Sequence, residues 1–84
     1  MYKYRFTPKA SKEFLKLNSK LRVRIIAKLD FFCVVGNPIE FSERLTKSEL
    51  GKYRFRVGDY RVIFDVDKDG VRIIKVGHRR EIYK

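Results

Sequence analysis

The chain has 84 residues and a formal net charge of +11 at pH 7, from 21 Lys and Arg against 10 Asp and Glu. This length allows one domain, residues 1–84, with a single small core, and a hydrophobic fraction of 44% argues against disorder. The positive charge repels itself in a compact chain, so it predicts an anionic partner: nucleic acid, an acidic protein or an anionic membrane surface.

Cysteine and apolar content indicate a cytoplasmic protein. Cys33 is the single cysteine, which excludes an internal disulfide and favours a reducing compartment. No apolar run approaches the roughly 18 residues of a membrane span, and the opening MYKYRF lacks the apolar core of a signal peptide. One Cys and one His make no metal-ligand cluster, and no glycine-rich phosphate loop is present. We therefore expect no metal and no other cofactor.

The first part of the chain predicts one strand and two helices. Residues 2–6 alternate aromatic and basic side chains, a pattern typical of a half-buried strand. Thr7 and Pro8 then begin a helix as its N-cap and first-turn proline. A second helix is expected over 20–35, ending at Gly36. Its predicted buried side carries Leu21, Ile25, Leu29, Phe32 and Cys33.

The remainder predicts a loop and three strands. The loop covers 37–51, with Ile39, Phe41 and Leu45 as apolar anchors, and the strands lie near 52–57, 60–66 and 71–77. The short break between the helices predicts an antiparallel helical hairpin. The fold class is therefore α+β, with this hairpin packed on a twisted antiparallel sheet of about four strands. The first strand is expected at an edge of that sheet or beside its last strands.

The first strand turn places three arginines together. Gly58-Asp59 fits a two-residue turn of the primed type, so Arg56 faces Arg61, and Arg54 falls on the same side because directly opposed residues project to one face. The other face collects the core residues Tyr53, Phe55, Val57, Tyr60, Val62 and Phe64. Opposed like charges destabilise a sheet, so we expect either a neutralising carboxylate or a bound anion. A solvated charged face is the alternative.

The second strand turn extends this charged face. Lys68-Asp69-Gly70 resembles a three-residue loop with its glycine in the left-handed conformation. That register pairs Ile74 with Phe64 and Val76 with Val62. Lys75 and Arg79 then join the arginines, together with the apolar residues Val71 and Ile73, whereas His78 points to the core side.

Such a face, with an aromatic ring and an imidazole nearby, suits phosphate-rich polymers and chemistry on them. Metal-free RNA cleavage is one such reaction, in which the 2′-hydroxyl attacks the adjacent phosphate. The reaction needs a proton acceptor, stabilisation of the phosphate charge, a proton donor and in-line positioning. Guanidinium groups match phosphate oxygens, so Arg61 and Arg79 are the candidate clamp. Tyr83 is the candidate for stacking on a base.

Proton transfer is harder to assign. Arginine, with a pKa above about 12, is a poor acid or base near neutrality. His78, the single imidazole, is a possible acid or base, although a lone histidine at a strand end is more often structural. Glu81 is an alternative base, or it balances Arg79 or Arg80.

The segments YRFRVGDYRVIF at 53–64 and VGHRREIY at 76–83 resemble the RelE toxins of bacterial and archaeal toxin–antitoxin pairs. The order of elements resembles that family over the whole chain. The resemblance implies a ribosome-dependent, metal-independent endoribonuclease that cuts messenger RNA in the ribosomal A site and so inhibits translation. It also implies an antitoxin that wraps the toxin and blocks this activity.

The resemblance also implies roles for five residues, in a catalytic set. Arg54 and Arg56 match two basic residues, often lysines, along the first hairpin strand of the family. Arg61 matches the arginine of its Tyr-Arg strand, Arg79 the arginine after a glycine near the C-terminus, and Tyr83 a terminal tyrosine that stacks on the substrate base.

The expected partners are the ribosome, messenger RNA and a cognate acidic, RelB-like antitoxin in a hetero-oligomer. We expect further RNA contacts from Lys52, Lys75 and Arg80, and the basic residues of 20–28 on a helix exterior are either solvated or in contact with ribosomal RNA. Two alternatives remain: a ParE-like inhibitor of DNA gyrase, similar in fold, or a non-catalytic basic RNA-binding module. The arginines favour the nuclease, because the ParE branch lacks that set.

Overall fold

The computed structural model describes residues 2–39, 42–45 and 51–82. The elements are β1 (Tyr4–Phe6), α1 (Pro8–Leu15), α2 (Ser19–Val34), β2 (Glu43–Arg44), β3 (Tyr53–Val57), β4 (Tyr60–Asp67) and β5 (Gly70–His78). The α+β class is confirmed, and the three C-terminal strands agree with the predicted ranges to within one residue at each end. No helix in the described ranges is long and apolar enough to cross a membrane.

The strands form one mixed sheet in the order β1-β5-β4-β3-β2. β1 lies at an edge beside β5, as expected, but the two strands run parallel, whereas the other neighbours are antiparallel. The sheet also has one strand more than expected, because the two-residue β2 adds to its other edge. Side-chain alternation encodes neither the direction of pairing nor a strand of two residues, so these features were not predictable from the pattern.

Both helices begin at side-chain caps. Thr7 Oγ1 accepts a hydrogen bond from the backbone N–H of Ala10 at 3.2 Å, which confirms the predicted N-cap. Asn18 Oδ1 accepts from the N–H of Leu21 at 2.9 Å, so α2 begins at Ser19, one residue earlier than predicted. Each cap satisfies one of the N–H groups that a helix leaves unpaired in its first turn.

The core lies between the helices and one face of the sheet. Cys33 is buried there as a packing residue, and burial raises the pKa of its thiol. Phe32, predicted to be buried, is half-buried and packs edge-on against Phe55 with ring centroids 5.3 Å apart. The buried members are Ala10, Leu21, Ile25, Leu29 and Cys33 from the helices, and Phe55, Val57, Val62, Phe64, Val71, Ile73 and Val76 from the sheet.

A β-bulge shifts the register between β4 and β5 at Ile63/Phe64. Phe64 pairs with Ile73 beyond the bulge, so the predicted pairing of Phe64 with Ile74 is wrong. The inserted residue reverses the alternation of β5. As a result Val71 and Ile73 are buried in the core, rather than on the face of the arginines.

The turn between β4 and β5 is also tighter than predicted. Gly70 pairs with Asp67 in the ladder, so the turn consists of Lys68 and Asp69. The expected positive φ of Gly70 is confirmed at 114°. A Cβ on Gly70 would overlap the backbone carbonyl of Lys3, so the glycine also permits the close approach of the N-terminal segment.

Candidate functional site

Three arginines, Arg54, Arg56 and Arg61, share the sheet face opposite the helices; we call this the arginine face. The β3–β4 register is as predicted, with Arg56 directly opposite Arg61 and Arg54 opposite Ile63. Gly58 begins the turn with a φ of +59°, which glycine adopts without the strain that a side chain would cause. The turn glycine and the strict alternation of β3 and β4 therefore place the three guanidinium groups on one side of the hairpin.

Glu43 on β2 supplies a carboxylate to the arginine face. Its Oε2 lies 2.7 Å from Arg54 Nη2 and its Oε1 lies 3.0 Å from Arg56 Nε. The hydrogen bond from Arg54, followed by the charges of Arg54, Arg56 and Arg61, lowers the pKa of Glu43, so this group is ionised at neutral pH. A neutralising carboxylate was one of the two expectations for the Arg56–Arg61 pair. Its identity was missed, because a two-residue strand leaves no periodic signal.

Arg61 and Arg79 meet at the turn between β3 and β4. Arg61 Nη1 donates to the carbonyls of Gly58 at 3.0 Å and Tyr60 at 3.1 Å. Arg79 follows β5, and its backbone N–H donates to the carbonyl of Asp59 at 2.8 Å. The Arg79 Nε lies 3.8 Å from Asp59 Oδ1. The two residues predicted to form the clamp are therefore both anchored to Gly58–Asp59, although they are far apart in sequence.

The turn after β5 covers part of the arginine face. Gly77 lies opposite Arg61, and a Cβ at Gly77 would be 3.6 Å from Ile82 Cδ1. Ile82 is fully buried, and its N–H donates to the carbonyl of His78 at 3.0 Å. Packing of Ile82 thus fixes the turn that carries Arg79 against the hairpin.

His78 lies on the core side, as its register predicts. It pairs with Tyr60, and the two rings meet edge to face with centroids 5.3 Å apart. Its Nδ1 accepts a hydrogen bond from the backbone N–H of Arg80 at 3.1 Å, so the neutral ring carries its hydrogen on Nε2. These contacts give His78 a structural task in anchoring the turn after β5.

The remaining predicted site residues lie around this centre. Lys75 pairs with Ile63 and is half-buried on the arginine face. Lys52 is exposed before β3, where its backbone N–H donates to Asp65 Oδ1 at 2.7 Å, and Arg80 is exposed after β5. Tyr83, the predicted stacking residue, and Phe41, a predicted loop anchor, lie outside the described residues. Over 2–39, 42–45 and 51–82, no group of three or more His, Cys, Asp or Glu could hold a metal ion.

The fold is that of toxins from type II toxin–antitoxin systems. A RelBE complex from Mycobacterium tuberculosis matches with 30% identity and a TM-score of 0.65, over 93% of this chain and 98% of that chain. The isolated RelE toxin of E. coli matches with 27% identity and a TM-score of 0.74, over 93% and 84%. The RelE–RelB complex of Pyrococcus horikoshii matches with 26% identity and a TM-score of 0.73, over 95% and 97%.

The sequence itself assigns the family. Residues 4–83 match the family described as ParE toxin of type II toxin–antitoxin system, parDE. A search of curated proteins gave no significant match. The chain belongs to the ParE toxin family, within the RelE/ParE superfamily, and it is a toxin of a type II toxin–antitoxin system.

Proposed function

We propose that this toxin is a metal-independent endoribonuclease that cleaves messenger RNA in the ribosomal A site. The observation that carries the proposal is the convergence of Arg61 and Arg79 on one turn, next to Arg54 and Arg56. Forked guanidinium donors in such an array match the oxygens of a phosphate that gains charge during cleavage. Ribosome and messenger occur in the cytoplasm, which also suits the free thiol of Cys33.

In this proposal Arg61 and Arg79 bind the non-bridging oxygens of the scissile phosphate. Arg79 is half exposed, so solvent and substrate can reach it. Arg61 is half-buried, and the hairpin holds it in position. Lys52, Lys75 and Arg80 would bind flanking phosphates, and Tyr83 would stack on a base. Stacking on an aromatic side chain contributes about 1–3 kcal/mol per base in single-strand recognition.

Glu43 is the proton acceptor in this proposal. It is ion-paired with two members of the arginine face, since Arg54 and Arg56 hold both of its oxygens. The 2′-hydroxyl would give its proton to Glu43 while O2′ forms a bond to phosphorus. The P–O5′ bond then breaks, and the 5′-oxygen takes a proton from solvent or a ribosomal group. The low pKa of Glu43 keeps it ionised at neutral pH, and it also makes this carboxylate a weaker base than one that titrates near neutrality.

Glu43→Gln should therefore lower cleavage by about 10²–10⁴-fold, the usual contribution of a general base. Affinity for uncleavable RNA should not fall, because a negative charge has been removed from a phosphate-binding face. Asp67→Asn is the matched control, since it removes a carboxylate that is likewise paired with an arginine, Arg5, at the far end of β4 from the turn. If Glu43→Gln cuts at the wild-type rate, Glu43 is a counter-ion only.

The direct test of the function is in vitro translation with the purified toxin, followed by mapping of messenger 3′-ends at stalled codons. Cuts at A-site codons, absent when ribosomes are omitted, are the expected result. The family match favours a second candidate, inhibition of DNA gyrase, which a supercoiling assay run in parallel would detect. Intact messenger with blocked supercoiling would overturn the ribonuclease proposal.

The antitoxin is proposed to be a small acidic, RelB-like protein that forms a hetero-oligomer with this toxin. Three of the similar structures are RelBE toxin–antitoxin complexes, and a charge of +11 attracts an acidic partner. Exposed apolar side chains of the helices offer a surface to an amphipathic helix. Some of these side chains border a groove with a volume of about 540 Å³. The groove is lined by Phe14, Arg22, Val23, Ile26, Ala27 and Asp30.

Val23→Asp should weaken antitoxin binding by about tenfold or more, because it places an unpaired charge in an apolar contact. Val23 is 68% exposed, so the toxin itself should remain folded. Val35→Asp is the control: Val35 is equally exposed at 70% but does not line the groove. Calorimetric titration with the co-expressed antitoxin measures both, and equal losses would place the contact elsewhere.

A further inference from the structure

A cationic cleft, apart from the arginine face, lies on the α2 side of the Gly58–Asp59 turn. Its volume is about 590 Å³, within the range of about 300–1,000 Å³ that is typical of ligand sites. One wall is the beginning of α2 and the other is the turn with the residues on either side of it. The lining residues are Asn18–Leu21, Arg24 and Val57–Tyr60.

Lys20 and Arg24 supply the charge of this cleft. They are one helical turn apart and so lie on the same side of α2. Both are exposed, and neither has an ion-pair partner in the part of the chain that the structure describes. The cleft carboxylate, Asp59, faces Arg79 instead, with 3.8 Å between Oδ1 and Nε. The two cations are therefore available to an external anion.

Arg24 lies against the same turn that anchors Arg61 and Arg79. Arg24 Nη1 lies 3.6 Å from the point where a Cβ on Gly58 would be, so its guanidinium lies against the turn. Arg61 Nη1 binds the Gly58 carbonyl, and Arg79 Nε lies 3.8 Å from Asp59 Oδ1. Three guanidinium groups thus lie beside one two-residue turn, and Lys20 lines the cleft on its α2 side.

An aromatic ring completes the cleft. Tyr60 lines it and is half-buried, with its ring held edge to face against His78. A ring fixed in this way offers a base a stacking surface at little cost in side-chain entropy. Phosphate-binding cations beside a fixed ring favour single-stranded nucleic acid over an acidic peptide, which would need no aromatic platform.

We propose that this cleft is a second RNA subsite, in which Lys20 and Arg24 bind the phosphate, and Tyr60 the base, of a nucleotide flanking the cleavage point. The assignment of the cleavage point to the arginine face rests on the proposed function. The cleft would hold the messenger at a distance from the reacting phosphate, so its contribution is to binding rather than to the chemical step.

The test is binding of a labelled single-stranded RNA of about nine nucleotides, fully 2′-O-methylated so that it cannot be cut. The double variant Lys20→Ala/Arg24→Ala should bind about tenfold more weakly. The magnitude of the slope of log K against log[salt] should fall by about 0.7, the contribution of one phosphate contact on a single strand.

The matched control is Lys9→Ala/Lys12→Ala, which removes the same charge from the exposed side of α1. Equal weakening by the two double variants, or no RNA binding by the wild type, would overturn the proposal. Loss of affinity for the antitoxin with unchanged RNA binding would assign the cleft to an acidic protein and overturn it too. Because the probe cannot be cut, a toxin that binds it as expected yet leaves messenger intact refutes the ribonuclease proposal and retains the subsite. Circular dichroism and thermal melting confirm that each variant is folded.

Discussion

Replacing Arg79 by alanine should lower messenger cleavage by about 10²–10³-fold, the cost of losing one donor to the charge that develops in a transition state. Arg61→Ala should have an effect of similar size. The fold should survive the Arg79 change, because the backbone N–H of Arg79, not its side chain, donates to Asp59. Cleavage rates from the translation assay and thermal melting of each variant are the measurements.

Arg72→Ala is the control for these arginines. Arg72 is exposed on β5, six residues before His78 and so about 20 Å along the strand. Loss of its charge weakens general attraction to RNA without touching the turn. If Arg72→Ala impairs cleavage as strongly as Arg79→Ala, net charge rather than a positioned clamp determines the activity. Normal cleavage by both Arg61→Ala and Arg79→Ala would refute the clamp.

Gly70→Ala should lower the free energy of unfolding by about 2–4 kcal/mol. A side chain at a φ of 114° is strained by about 1–3 kcal/mol, and the added Cβ would overlap the Lys3 carbonyl, where overpacking costs about 1–3 kcal/mol. That carbonyl accepts the N–H of Val71 at 2.8 Å, so the contact between the N-terminal segment and β5 would be lost as well. Urea denaturation measures the change.

Gly77→Ala is the control for Gly70→Ala, because it also replaces a glycine of β5 by alanine but at a position without crowding. Its Cβ would meet Ile82 Cδ1 at 3.6 Å, an ordinary van der Waals contact, and Gly77 has no positive φ. The substitution should therefore change the free energy of unfolding by less than about 1 kcal/mol. Equal destabilisation by the two variants would show that neither the φ of Gly70 nor its approach to Lys3 is the cause.

The β3–β4 hairpin was predictable because turn chemistry and side-chain alternation both specify it. Gly58 fixes the turn, and with it the opposition of Arg56 and Arg61. The β4–β5 pairing was only partly predictable. A bulge depends on packing. Without one, the apolar residues Val71 and Ile73 would lie on the charged face, and that conflict is its signal in the sequence.

The candidate site was also predictable only in part. Guanidinium chemistry predicts Arg61 and Arg79, and the strand register explains why both lie at Gly58–Asp59. Glu43 was missed because its place depends on an edge pairing with Arg54 that joins a loop to the sheet. Local pattern cannot identify such a contact, although the unbalanced charge of the arginine face already called for a carboxylate.

The parallel pairing of β1 with β5 has a consequence for synthesis of the toxin. Tyr4 pairs with Val71, so β1 has no neighbouring strand until β5, far later in the sequence, has been made. Pairing over such a sequence separation is slow to form. Arg79 is added later still and takes its place only when β5 has joined β4. Until β5 has joined β4, the chain therefore lacks one edge of the sheet and, on the proposed function, the second arm of the clamp.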